Sequence, residues 1–318
     1  MIFPKFHSTP FLTSEERAQA ALLPPAERQA MVKNVLFPYD QFLTVSEQVE
    51  RFHRPVKGGT ADTGWLGGVI GEFSSGKTFI LQNFARQYPA TLTEKGFDQE
   101  VIYLQARLDW DSLELGRQIY QATGAPTVPR LSTSTLNTQA ARRIIDCNVK
   151  LVIVDDAHCL LGTAGRRRTV FVSLIKYLLD QVNACNILLV VPSVIERSME
   201  TDMQMICRGG FPRFRVDGFD IGTQAGRNQF RLFLHGVDER LPFRTLSDLA
   251  SKHYSSDLIE ISDGSLGMAM NIVIAAGYEA INDQSACIMR EHLARAAKDR
   301  LPVGKTYKPF GQGEGMAA

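Results

Sequence analysis

The stretch Gly71-Glu72-Phe73-Ser74-Ser75-Gly76-Lys77-Thr78 matches the phosphate-loop pattern G-x-x-x-x-G-K-[ST] at every fixed position. Its context matches too. The apolar run Trp65 to Ile70 ahead of it reads as a buried strand, and Phe79 to Ala85 behind it reads as a helix. Glycines at both ends let the backbone fold around an anion, so successive N–H groups and the following helix N-terminus point at phosphate oxygens. In this frame Lys77 would reach the β- and γ-phosphates of ATP. Thr78 would place its hydroxyl on Mg²⁺, a small hard cation that prefers oxygen ligands.

A second signature lies downstream. Leu151-Val152-Ile153-Val154-Asp155-Asp156 is four aliphatic residues closing on carboxylates, the pattern of a buried parallel strand that delivers an acid to the sheet edge. Asp155 would hold Mg²⁺ through water, and Asp156 would orient or deprotonate the attacking water. Another strand, Glu100 to Gln105, intervenes between the two motifs. That arrangement favours an ATPase with a catalytic acid over the small kinases. A further strand, Asn186 to Val191, ends at Pro192-Ser193. Ser193 is a candidate γ-phosphate sensor or a serine that starts a turn. Tyr39, in Phe37-Pro38-Tyr39-Asp40, is a candidate wall for the adenine base or part of ordinary helix packing.

The 318 residues are 44% hydrophobic and 22% charged with a formal net charge of +1, so nucleic-acid binding has to come from local patches. Five cysteines form no C-x-x-C pair, which reads as reduced thiols in a cytoplasmic protein. No apolar run approaches a membrane span. The expected organisation is an N-terminal helical arm at 1–36, an α/β nucleotide-binding domain at 37–220, a helical lid domain at 221–300 and a tail at 301–318. Helices are expected at 223–237, 245–254, 265–281 and 284–299. The tail lacks periodicity and reads as disordered or as a partner-binding peptide.

The order of these features resembles an AAA+ P-loop ATPase, an α/β fold with a central parallel sheet. More narrowly it resembles the TniB/TnsC family of transposition regulators. Three segments carry this resemblance: Glu27-Arg28 through Val35-Leu36-Phe37-Pro38-Tyr39; Asp155-Asp156-Ala157-His158-Cys159-Leu160-Leu161-Gly162-Thr163-Ala164 with Leu174-Ile175-Lys176-Tyr177-Leu178; and Asp202-Met203-Gln204-Met205 with Arg208. It implies ATP bound between subunits, assembly as rings or helical filaments on duplex DNA, and a link between a target-selector protein and a transposase. It further implies that Arg208, or failing it Arg213, acts as an arginine finger, each reading equally as a surface arginine. Arg107, Arg130 and Thr135 are then candidates for DNA phosphate contact, against a plain solvated loop. Asp156 stands where the family has Glu, and Met268 stands near where such ATPases often carry a second sensing arginine, so slow hydrolysis is expected. The alternatives are a helicase-loader or replication-initiator ATPase, and a nucleotide-gated scaffold without useful catalysis.

Overall fold

A computed structural model describes residues 3–111, 113–125, 132–161, 166–181, 185–197, 210–298, 300–301 and 309–311. The chain divides into two compact units, one formed by Asp40–Asp217 with Phe3, the other by Pro4–Tyr39 with Gly218–Ala318.

In the first unit five parallel strands form one sheet in the order β4-β5-β6-β1-β7. Their ranges are β1 Leu66–Gly71, β4 Val101–Gln105, β5 Leu151–Asp155, β6 Asn186–Pro192 and β7 Arg213–Arg215. Strands β2 (Thr91–Thr93) and β3 (Gly96–Asp98) pair as a separate antiparallel hairpin. Every residue of β1, β5 and β6 is buried. That is why they read in sequence as mostly apolar runs rather than as an alternation. Strand β6 lies between β1 and β5, pairing Ile70 with Val191 and Val154 with Leu189. The phosphate-loop strand and the acidic strand therefore end on the same edge of the sheet, one strand apart.

The helix Thr133–Asp146 starts where the Ser132 hydroxyl accepts the Thr135 N–H and caps it. The hairpin β2-β3 has no counterpart in the sequence reading, since its residues are largely exposed and give no apolar periodicity. The candidate finger Arg208 and the candidate DNA contact Arg130 lie outside the described residues.

The second unit contains the helices Ser14–Ala21, Pro25–Lys33, Gln224–Asp238, Lys252–Ser262, Leu266–Asn282 and Arg290–Lys298. The helical segment at the N-terminus lies in this unit. Val32 and Val35 lie in one core with Phe230, Leu234, Ile272 and Val273, and Arg28 donates to the Pro242 carbonyl at 3.1 Å while stacking over Phe243. Burial of this apolar face holds the segment in the unit's core. The helix expected at 245–254 begins instead at Lys252. The buried Asp238 carboxylate accepts the N–H groups of Ser247 at 3.0 Å and Leu249 at 3.2 Å, which holds 245–249 as a loop. Likewise 284–289 is not helical. His292 Nδ1 accepts the Met289 N–H at 2.9 Å and fixes the start of the last helix.

Candidate nucleotide site

The phosphate loop is built at the end of β1. Ser74 and Gly76 take φ of 59° and 97°, which turns consecutive N–H groups toward the inside of the loop. Gly71 is required for a different reason. A Cβ there would fall 1.9 Å from the Val216 carbonyl oxygen, so only glycine lets the two backbones pass. Lys77 donates to the carbonyls of Gly71 (2.9 Å) and Glu72 (2.6 Å) and approaches the Ser75 hydroxyl at 3.3 Å, so its ammonium is held over the loop. Burial lowers its pKa, and Asp155, Glu72 and Asp156 counter that effect.

Asp155 joins the two motifs. Its Oδ2 accepts hydrogen bonds from Thr78 at 2.7 Å and from the Tyr103 hydroxyl at 2.5 Å, and its Oδ1 accepts the Asp156 N–H at 2.8 Å. The carboxylate is 1% exposed. Burial raises its pKa, and the Tyr103 and Thr78 donors oppose the rise. Asp156 adopts a left-handed φ of 53°. Gln105 donates to Asp156 Oδ2 at 3.1 Å, and His158 Nδ1 lies 3.9 Å from Oδ1. The His158 ring meets Phe73 edge-on at 5.8 Å.

The sequence reading does not single out Tyr103, Gln105 or Gln82. A signal for the first two exists, because they are the polar members of Val101-Ile102-Tyr103-Leu104-Gln105 and sit at i and i+2, on one side of a strand adjoining the acids. Gln82, on the phosphate-loop helix, lies 3.4 Å from the Tyr103 hydroxyl, a link across elements that no spacing rule gives.

The remaining candidates have definite positions. Ser193 opens a short 3-10 turn after β6. Arg213 lies on the edge strand β7 and pairs with Glu196 at 3.1 Å, while Arg215 binds both Glu196 oxygens at 2.8 and 3.0 Å. Arg107 is exposed just beyond β4, and Thr135 is exposed in the first turn of the helix Thr133–Asp146. Tyr39 belongs to the helical unit, where its ring packs on Phe219 at 5.7 Å and Phe233 at 5.5 Å. Among the described residues no helix is long and apolar enough to cross a membrane.

A family model described as the bacterial TniB protein matches residues 41–220, more than half of the chain. The chain belongs to the TniB family. The match covers the phosphate loop, both acids and β7, which are the parts of this TniB chain that build the site. Among curated proteins none matches the sequence. Solved structures give the fold independently. The Aeropyrum pernix ORC2 protein, in its ADPNP–ADP complexes, superposes with a TM-score of 0.55 at 15% identity, covering 83% of this chain and 68% of that one. Cdc6p from Pyrobaculum aerophilum gives 0.54 at 15%, covering 82% and 66%. The Aeropyrum pernix ORC1 protein in complex with DNA gives 0.56 at 14%, covering 81% and 64%. With the parallel sheet, these define an AAA+ P-loop ATPase fold.

Proposed function

We propose that this TniB-family chain is an ATP-dependent regulator of transposition that binds duplex DNA as a ring or filament and links a target selector to the transposase. The observation that carries the nucleotide half is the hydrogen bond from Thr78 to Asp155, which brings both motifs to one point 2.7 Å apart. The residues present fit a nucleotide and its metal: a cradle of N–H groups, one lysine, one hydroxyl and one buried carboxylate. Gly71 to Thr78 would hold the phosphates of ATP, and Thr78 and Asp155 would hold Mg²⁺, which supplies charge neutralisation at the phosphates. Lys77 would exchange its loop carbonyls for phosphate oxygens. Asp156, positioned by Gln105, would accept a proton from water; its side chain is one methylene shorter than Glu, which keeps turnover slow. Ser193 would sense the γ-phosphate.

The transposition and DNA half rests on the family. The likeness to the ORC1 protein in complex with DNA supports a DNA partner for this fold. Arg107 and Thr135, with Arg130, would contact DNA phosphates, and Arg208 or Arg213 would reach a neighbour's nucleotide. For Arg213 that role requires leaving Glu196. The second reading is a helicase-loader or replication-initiator ATPase of the same fold, which would show a different strand preference.

The deciding experiment is a protein titration of labelled duplex and single-stranded DNA with no nucleotide, ADP, or a non-hydrolysable ATP analogue with Mg²⁺, followed by imaging. Steep duplex binding only with the analogue, with rings or filaments, is the expected result. Binding indifferent to nucleotide would refute the reading, and preference for single strands would favour the alternative.

A further inference from the structure

The helical unit holds a feature that the nucleotide site does not use. Residues Pro309–Gly311 form a tight turn, with Phe310 outside helical φ/ψ, seated against the helices Lys252–Ser262 and Arg290–Lys298. Each of the three is read by its surroundings. Pro309 is buried, and the Phe310 side chain is 2% exposed with its ring edge-on to Tyr254 at 6.3 Å. The Phe310 N–H donates to Asp257 Oδ2 at 2.8 Å, and the Phe310 carbonyl accepts from Arg290 Nε at 2.6 Å. A carboxylate and a guanidinium from two different helices thus grip the two main-chain polar groups of one residue, and ionised partners make the stronger kind of hydrogen bond.

Gly311 completes the selection. It takes a φ of 65°, and a Cβ there would fall 1.5 Å from Arg290 Nη2. Any other side chain would be strained at this φ and would require the Arg290 guanidinium to shift. Phe310 itself has a φ of 56°, a left-handed conformation that an aromatic L-residue adopts only at a cost. Local sequence does not favour this shape; the pocket imposes it. An aromatic anchor, two main-chain contacts and a glycine-only position are how a protein recognises a short peptide.

We propose that Tyr254, Asp257 and Arg290 form a peptide-binding site for a Pro-Phe-Gly segment, filled by the chain's own residues 309–311 and able to take the same segment from a second copy. Phe310 belongs to the core of the helical unit, so its release uncovers an apolar pocket that a second Pro-Phe-Gly segment can fill. Every copy carries both the pocket and a segment shown to fit it. Exchange between copies therefore requires no new interface, which makes it an inexpensive route to association. The inference does not depend on nucleotide or DNA binding.

The test uses full-length chains of two sizes, without nucleotide or DNA. The donor carries photoreactive benzoylphenylalanine in place of Phe310. The recipient carries Phe310→Ala, which vacates its pocket. Irradiation of the mixture should give donor–recipient adducts. At about 0.1 mM protein a wild-type recipient should give roughly tenfold less, because its own tail competes at roughly millimolar effective concentration. Adding Arg290→Ala or Asp257→Ala to the vacated recipient should also lower the yield about tenfold, the effect of one charge-assisted hydrogen bond. Adducts confined to the donor chain, or equal yields with every recipient, would overturn the proposal. Should Phe310→Ala not fold by circular dichroism, Gly311→Val vacates the pocket while keeping the apolar content, and the same comparison decides.

Discussion

Replacing Tyr103 by Phe removes one hydroxyl and keeps the ring, including its edge contact with Phe3 at 5.9 Å. The hydroxyl is one of three donors on Asp155, beside Thr78 at 2.7 Å and the Asp156 N–H at 2.8 Å. Hydrogen bonds to charged groups contribute about 1.5–3 kcal/mol. Two donors remain, so the low end applies, and about 1.5 kcal/mol corresponds to roughly tenfold in an equilibrium constant. Partners that orient a metal-holding carboxylate have effects of about 10- to 100-fold on metal affinity. The loss should therefore appear in the Mg²⁺ step and not in the phosphate cradle, which Tyr103 does not touch. The assay is binding of a fluorescent ATP analogue titrated against Mg²⁺. Tyr103→Phe should raise the half-saturating Mg²⁺ about tenfold and leave metal-free nucleotide affinity unchanged. An unchanged Mg²⁺ midpoint, or an equal loss with and without the metal, would show that the reasoning about Asp155 is wrong. If the wild type binds nucleotide without regard to Mg²⁺, the proposed site itself fails instead.

Three further outcomes are expected. Gly71→Ala places a methyl 1.9 Å from the Val216 carbonyl oxygen and should force β1 from β7; a cost of about 2–3 kcal/mol, roughly 5–10 °C in unfolding midpoint, is read by calorimetry, and an unshifted midpoint would contradict it. Arg28→Ala leaves the Pro242 carbonyl without its buried donor and should destabilise the helical unit by about 1.5–3 kcal/mol, with hydrogen exchange accelerating in both Pro25–Lys33 and the 240s loop if the N-terminal segment belongs to that unit. Burial raises the Asp238 carboxyl above its ordinary range, against the Ser247 and Leu249 N–H groups that lower it. A raised carboxyl contributes stability that is full below its unfolded pKa and lost as pH rises through its folded one. The stability of wild type relative to Asp238→Asn should accordingly be greater at acidic than at neutral pH, and a pH-independent difference would exclude Asp238 as the source.

Much of the site is legible in the sequence because its chemistry is local along the chain. An eight-residue loop supplies the phosphate cradle, and one aliphatic run supplies the acids. Burial on both faces makes β1, β5 and β6 read as apolar runs, so the strands and their order along the chain follow from composition alone. Tyr103 and Gln105 are not legible as site residues. Their roles come from β4 lying beside β5, a pairing between segments some fifty residues apart that periodicity does not report.

The same division holds across the chain. The sequence by itself determined the parallel α/β unit, the phosphate loop and the helical content of the C-terminal part, since each is set by the pattern within a short window. Tertiary structure alone decided that residues 4–39 join the C-terminal helices, that Asp238 turns 245–249 into a loop, and that Phe310 sits in a pocket between two helices. Those outcomes depend on which distant groups find each other to bury apolar surface and satisfy buried charge, and that free energy belongs to contacts formed only once the chain has folded.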